Sequence, residues 1–132
     1  MREILFVHDR LESPWVRQNF LESAGFKVTP LESAKACLET LVDRTPALIL
    51  MDVLIEGLNG FELTRRIRRD YPPEDLPIVL CSEIYRSRLF REEAASAGAQ
   101  DYVLRPCQMD ELIEVIQSVL GTEGAGPTVD AA

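Results

Sequence analysis

The amino-acid sequence predicts an α/β fold, a doubly wound parallel sheet with helices on both faces. Three observations point to it. Five short apolar runs alternate along the chain with five segments of helical period. Each run is nearly continuous in apolar residues and too short for a typical helix, the pattern of a strand buried on both faces. The chain is also long enough, at 132 residues with 46% hydrophobic and 27% charged, to enclose one real core.

EILFVH (3–8) is the first strand. Ser13-Pro14 supplies a helix N-cap and a first-turn proline, and Val16, Phe20 and Ala24 repeat on one face as far as Gly25, so these three are expected inward. Trp15 falls off that face and is expected either partly packed or touching a partner. FKVT (26–29) is the second strand, and Ser33 to Asp43 reads as a helix with Ala34, Leu38, Leu41 and Val42 inward. ALILMD (47–52) is the most apolar run and ends on an aspartate. After a loop with Gly57 and Gly60, Phe61 to Arg69 is helical, and its RRIRR tail reads as a solvated end facing the negative pole of the helix dipole. Tyr71-Pro72-Pro73 breaks the chain before LPIVLCS (76–82), the fourth strand. Ser87 to Ala97 is a helix stopped by Gly98, DYVLRP (101–106) a fifth strand, and Met109 to Leu120 the last helix, with Leu112, Ile113, Ile116, Val119 and Leu120 inward. Residues 1–120 thus make one domain, and GTEGAGPTVDAA (121–132), small and polar, reads as a disordered tail or interdomain linker.

Composition excludes several classes. Net charge is −8, from 14 basic and 22 acidic residues, which argues against direct nucleic-acid binding and suits a meeting with cations or basic surfaces. No stretch approaches the ~20 apolar residues that span a bilayer. Met-Arg-Glu-Ile does not begin a secretory leader, so a cytoplasmic chain starting at Met1 is expected. Cys37, Cys81 and Cys107 are odd in number and form no CxxC pair, and they read as reduced thiols in packing roles.

Right-handed crossovers bring the carboxyl ends of parallel strands to one edge, where open α/β sheets bind their ligands. That edge carries His8-Asp9, Asp52, Ser82 and Arg105-Pro106. In a flavodoxin-like (βα)5 sandwich with strand order 2-1-3-4-5, the first and third strands are neighbours, which brings Asp9 and Asp52 together and continues the line to Ser82 and Arg105. Crowded carboxylates recruit a hard divalent cation such as Mg2+. An aspartate can attack a phosphoryl group to give a reactive acyl phosphate, whose oxygens a cation and a hydroxyl would hold. GxxxxGK[ST], GxGxxG and GxSxG are all absent, which weighs against a nucleotide-binding enzyme or a hydrolase.

From about Glu3 to Leu120 the chain resembles the response-regulator receiver domain, the CheY-like phosphoacceptor module of two-component signalling. The resemblance lies in ILFVHD, in LILMDVLIEGLNGFELTRRIR with Gly60 eight residues after Asp52, in PIVLCSE and in AGAQDYVLRP, in that order. It implies Asp52 as phosphoacceptor and a Mg2+ ion held by Asp9, Asp52 and the main-chain carbonyl of Leu54. It further implies Ser82 and Tyr102 as the switch pair, Arg105 in place of the family's lysine, and a cis Arg105–Pro106 peptide. A histidine kinase or phosphotransfer protein would donate the phosphoryl group. The surface of the fourth helix, fifth strand and fifth helix (Ser87–Ala97, Asp101–Leu104, Met109–Leu120) would bind a downstream protein or a second copy. Such a domain is no enzyme beyond self-catalysed phosphotransfer and dephosphorylation.

The chain departs from that pattern at three places. His8 stands where the family carries the carboxylate that holds Mg2+ through water, which removes one negative charge from the site. Arg105 replaces lysine in a chain of twelve arginines and two lysines; a planar fork must reach a phosphoryl differently from an ammonium, or pair with Asp52 and hold an unphosphorylated state. Glu56 and Glu83 make the rim acidic, either as solvated or Arg-paired side chains or, with Glu12, as substitutes for the lost carboxylate; Glu83 would equally screen the site from phosphodonors. The competing reading is a pseudo-receiver, a phosphorylation-independent interaction module on the same fold.

Overall fold

The computed structural model describes residues 2–9, 14–105 and 107–121. The expected Ser13 cap, Glu12, the Arg105–Pro106 peptide and the tail from residue 122 onward lie outside the described residues.

Among the described residues five strands and five helices alternate as expected: β1 (Glu3–Val7), α1 (Trp15–Ser23), β2 (Lys27–Leu31), α2 (Ala34–Asp43), β3 (Leu48–Asp52), α3 (Gly60–Arg68), β4 (Ile78–Ser82), α4 (Arg88–Ala97), β5 (Asp101–Leu104) and α5 (Met109–Leu120). All four pairings are parallel and the order is β2-β1-β3-β4-β5, the doubly wound order expected from the sequence. Every residue of β3 and β4 is buried, which is why these strands read as unbroken apolar runs rather than as alternation.

Alternation along the strands divides the interior into two layers. Leu5, Val7, Ile49, Met51, Ile78, Leu80 and Tyr102 face one core with residues of α2, α3 and α4. Ile4, Phe6, Leu48, Leu50, Val79, Cys81 and Val103 face the other, with Leu21 of α1 and Leu112 and Ile116 of α5. Phe6 is followed on its face by His8, Leu50 by Asp52 and Val103 by Arg105. The period of two thus points all three strand ends to the α1–α5 side.

Three helix faces differ from the sequence expectation. In α1 the buried residues are Arg17 and Leu21, while Val16 and Phe20 are 66% and 42% exposed and Ala24 is also outside. The inward stripe is displaced by one residue, because Arg17 turns its aliphatic stem and guanidinium to the interior and carries the helix round with it. Trp15 is 67% exposed. In α2, Cys37 joins Ala34 and Leu41 at three- and four-residue spacing; Leu38 is half-buried and Val42 is exposed. The RRIRR tail is only partly solvated. Arg65 pairs with Glu93, and Arg68 donates to the carbonyls of Tyr71, Leu76 and Gly98 and to the Gln100 amide oxygen. Among the described residues no helix is long and apolar enough to cross a membrane.

Candidate functional site

The register of the sheet assembles the carboxyl edge. Val7 is level with Met51, Asp52 with Cys81, and Ser82 with Leu104, so the residues that follow β1 and β5 flank the ends of β3 and β4. Asp9, Asp52, Leu54, Ser82, Glu83 and Arg105 line one cavity of about 120 Å3. Gly60 holds α3 against this edge: its amide donates to the Val53 carbonyl at 2.7 Å, and a Cβ there would stand 2.9 Å from both the Asp52 carbonyl oxygen and the Val53 Cα. Only a residue without a side chain lets the loop after Asp52 close so tightly.

Asp52 is 4% exposed, and its partner comes from an element that the sequence reading did not connect to the site. Arg17, in the first turn of α1 and 6% exposed, forks onto the carboxylate: Nη1 donates to Oδ1 at 2.7 Å and Nη2 to Oδ2 at 3.1 Å. Its guanidinium lies 4.4 Å from the centroid of the Phe6 ring, which faces the same core layer. The planar fork matches the two carboxylate oxygens, a geometry that lysine cannot reproduce. The one sequence signal for this pair was an arginine one turn before Leu21 on a helix whose first turn lies at the carboxyl edge. The apolar Val16 and Phe20 beside it masked that signal.

Arg105 sits on the opposite flank. Its Nη2 is 3.9 Å from Asp52 Oδ1, a long ionic approach, while Nη1 pairs with Glu83 at 3.2 Å. The direct pairing with Asp52, one of the two alternatives for Arg105, is therefore made chiefly by Arg17. Glu83, half exposed, is Arg-paired, the plainest of its three expected roles. The Arg105 amide donates to the Ser82 carbonyl at 2.9 Å, and the Arg105 carbonyl accepts from Arg86 at 2.8 Å, which fixes the backbone beneath the guanidinium.

The Ser82 hydroxyl oxygen accepts from the amides of Ile84 and Tyr85 at 3.1 and 3.0 Å. Tyr85 in turn accepts, through its carbonyl, the hydroxyl proton of buried Tyr102 at 2.6 Å. Ser82 and Tyr102 are thus joined through one short loop. Burial pushes the Tyr102 phenol up, so it stays a donor at neutral pH.

His8 is buried beside Phe6, with ring centroids 5.3 Å apart. Its Nδ1 lies 3.0 Å from the Asp9 carbonyl oxygen, which can only accept, so Nδ1 is the donor in this bond. The Asp9 amide approaches Asp52 Oδ2 at 3.4 Å. Cys81, behind Asp52, is buried, and burial with the neighbouring carboxylate holds its thiol at about 12.

Tested as a metal centre, the donor set falls short. Among the described residues no group of three or more His, Cys, Asp and Glu side chains stands ready to hold a metal. Asp9, Asp52 and Glu83 are the carboxylates at the cavity; Glu83 is paired with Arg105, and both Asp52 oxygens are engaged by Arg17. A hard divalent cation needs those oxygens and brings two positive charges beside a guanidinium. With Arg17 in this place the residues do not fit such an ion.

Comparison with known proteins gives a consistent set of relatives. Residues 4–117 match the family model of the response regulator receiver domain. The chain is 31% identical over 125 residues to the phosphate regulon transcriptional regulatory protein PhoB of Pseudomonas aeruginosa, covering 95% of this chain and 54% of that protein. It is 27% identical over 120 residues to Protein PilH of the same species, covering 91% of this chain and 98% of that protein. Among solved structures, the receiver domain of NtrX from Brucella abortus superposes with a TM-score of 0.79 at 28% identity, covering 89% of this chain and 97% of that one. A CheY-like receiver domain protein from Methanospirillum hungatei shares the fold, with a TM-score of 0.81 at 23% identity over 91% of this chain and 94% of that one. The chain spans about half the length of PhoB and about a quarter of the transcriptional regulator NtrC of Escherichia coli.

Proposed function

Because the chain belongs to the response-regulator receiver family, we propose that it accepts a phosphoryl group on Asp52 and passes the change to a partner through α4, β5 and α5. The observation that carries this reading is the convergence of Asp52, Ser82 and Arg105 on one small cavity at the carboxyl edge. An Asp52 oxygen attacks phosphorus and forms the acyl phosphate O–P bond. The bond from phosphorus to the donor breaks, and its electron pair leaves with the donor: a histidine nitrogen of a kinase or phosphotransfer protein, or the oxygen of a small acyl phosphate. Arg105, 3.9 Å from Oδ1, turns from Glu83 toward the new phosphoryl oxygens, and the Ser82 hydroxyl donates to one of them. As Ser82 moves, its hold on the Ile84 and Tyr85 amides loosens, and with it the Tyr85 carbonyl that anchors Tyr102. Tyr102 belongs to β5, so the signal emerges on the face shared with α4 and α5.

Receiver domains generally bind Mg2+ at their acidic pocket; in this chain Asp9, Asp52 and the Leu54 carbonyl are the groups such an ion would seek, and Arg17 already neutralises Asp52. His8, buried on Phe6, is assigned no direct ligand role. The domain acts in the cytoplasm as a phosphoacceptor rather than as an enzyme on a separate substrate. Its partners are a phosphodonor protein and an effector or second copy, with no direct nucleic-acid contact.

The test is labelling with acetyl phosphate, with and without MgCl2, followed by intact mass. A phosphoryl adduct that hydroxylamine removes and that Asp52→Asn abolishes is expected. Asparagine is the control of choice because its amide oxygen still accepts from buried Arg17. No adduct under either condition, or one that persists in Asp52→Asn, would overturn the assignment and leave the phosphorylation-independent module in its place.

A further inference from the structure

We propose that Arg17 stands in for the divalent cation at Asp52: the chain supplies from α1 the positive charge that a bound metal would bring, and a metal gains the site only when Arg17 is removed. Three independent features of the structure converge on this. The guanidinium engages both carboxylate oxygens at 2.7 and 3.1 Å rather than one. The pair is nearly buried, with side chains 7% and 5% exposed, so water screens the two charges little. The cation also rests 4.4 Å above the Phe6 ring, on a helix position that packs inward with Leu21; it is a built seat and not a surface side chain that happened to fold over.

The charge balance agrees. His8 removes one negative charge from the edge and Arg17 adds one positive, and both changes disfavour a divalent ion. The cavity residues include Asp9, Asp52, Ser82 and Arg105 but not Arg17. An incoming phosphoryl group therefore enters over Ser82 and Arg105 while Arg17 holds the carboxylate from the α1 side. Arginine suits the task because it stays charged at every working pH and its fork fixes the plane of the carboxylate. Arg17 is in this sense a positioning residue. Its consequence for phosphoryl transfer rests on the reading of Asp52 as acceptor, but the exclusion of the metal does not.

The experiment is a MgCl2 titration of the folded chain, without any phosphodonor, followed by the amide resonances of Asp9, Asp52 and Leu54. The wild type is compared with Arg17→Met, which keeps an unbranched apolar stem on Phe6, and with Arg17→Gln, which keeps an amide donor. Circular dichroism establishes that each variant is folded. The wild-type resonances are expected to stay in place, whereas both variants should show saturable shifts and bind at least about tenfold more tightly, the scale on which one adjacent charge acts. A structural role alone would not create metal affinity. Equal binding by wild type and variants, including no binding by any of them, would overturn the proposal. Should neither variant fold, Arg17→Lys, which keeps the charge but cannot engage both carboxylate oxygens, is titrated in their place: tighter Mg2+ binding than the wild type's is expected, and binding equal to the wild type's, or none by either, would overturn the proposal. Failure of the acetyl phosphate labelling leaves this result untouched, so the two readings fail separately.

Discussion

Asp52 and Arg17 are buried because they are buried together. A carboxylate at 4% exposure and a guanidinium at 6% each carry a desolvation cost of several kcal/mol, offset chiefly by the other charge and by the fork of hydrogen bonds. Removing one partner strands the other, but not symmetrically. Without Arg17, Asp52 still lines an open cavity beside Arg105; without Asp52, Arg17 remains in the apolar layer against Phe6. Asp52→Ala is therefore expected to lower the unfolding free energy by about 3 kcal/mol, Arg17→Met by less than about 1, and the double variant to recover most of the Asp52→Ala loss. Urea unfolding of the four proteins measures the cycle, and a double variant as unstable as the sum of the singles would refute the coupling. The cysteines allow a simpler check. Burial holds the thiols of Cys37 and Cys81 at about 12, so at pH 8 they are almost wholly protonated as well as enclosed. Cys107, half-buried, should react with a disulfide reagent long before the other two, which should label only as fast as the protein unfolds.

At the scale of elements, strands were more legible than helices, and the site more legible where it hangs on strands. The runs 3–8, 47–52 and 76–82 announced themselves because both faces of a central parallel strand are apolar, and the polar residue that ends each run had to fall at the carboxyl edge. Asp52 and Ser82 were found that way, Asp9 one residue past the first run, and Arg105 at the end of the shorter edge run 101–106. A helix buries only a stripe, and a single long polar side chain can displace it. In α1 the apolar triplet Val16, Phe20 and Ala24 ended outside because Arg17 has a buried anion to meet on β3, and no local pattern reveals a partner thirty-five residues away. The same blindness hid Arg68. Its place in an arginine-rich helix end suggested solvent, yet it donates to three backbone carbonyls and the Gln100 side chain, and burial pulls its guanidinium down. Gln100 also accepts from the Ile78 amide at the head of β4. Arg68 thereby fastens the end of α3 to the entry of β4 and the turn before β5. Arg68→Ala should cost about 2 kcal/mol through the acceptors left without their donor, and Arg68→Lys should recover little, since an ammonium cannot reach four diverging acceptors. Thermal unfolding distinguishes the two; full rescue by lysine would show that charge, and not the fork, matters.

On the scale of the whole molecule, the edge opposite the site is held by an arginine–carboxylate fork of its own, more exposed than that of Arg17 and Asp52. Glu3, at the head of β1, accepts from Thr29 Oγ1 at 2.6 Å and from Arg44 Nε and Nη2 at 2.9 and 2.8 Å. One carboxylate therefore joins β1, the neighbouring edge strand β2 and the turn between α2 and β3. The Arg44 hydrogen bond is the largest influence on Glu3, and with Thr29 and the Arg44 and Lys27 charges it outweighs burial and lowers its pKa from 4.5 to about 2. The folded protein then takes up this proton less readily than the unfolded chain does. Between pH 4.5 and 2 the unfolded state binds more protons, so stability on this account rises with pH. The contribution is complete above pH 4.5 and vanishes as the pH falls through about 2. Arg44 is 44% exposed, so salt should weaken the effect without abolishing it. Glu3→Gln keeps the size and an acceptor oxygen but cannot titrate. Its urea midpoint should lie below that of the wild type at pH 6, and the gap should close steadily as the pH is lowered toward 2.5. A gap of constant size across that range would mean that the hydrogen-bond geometry at this edge, rather than the charge on Glu3, binds the three segments together.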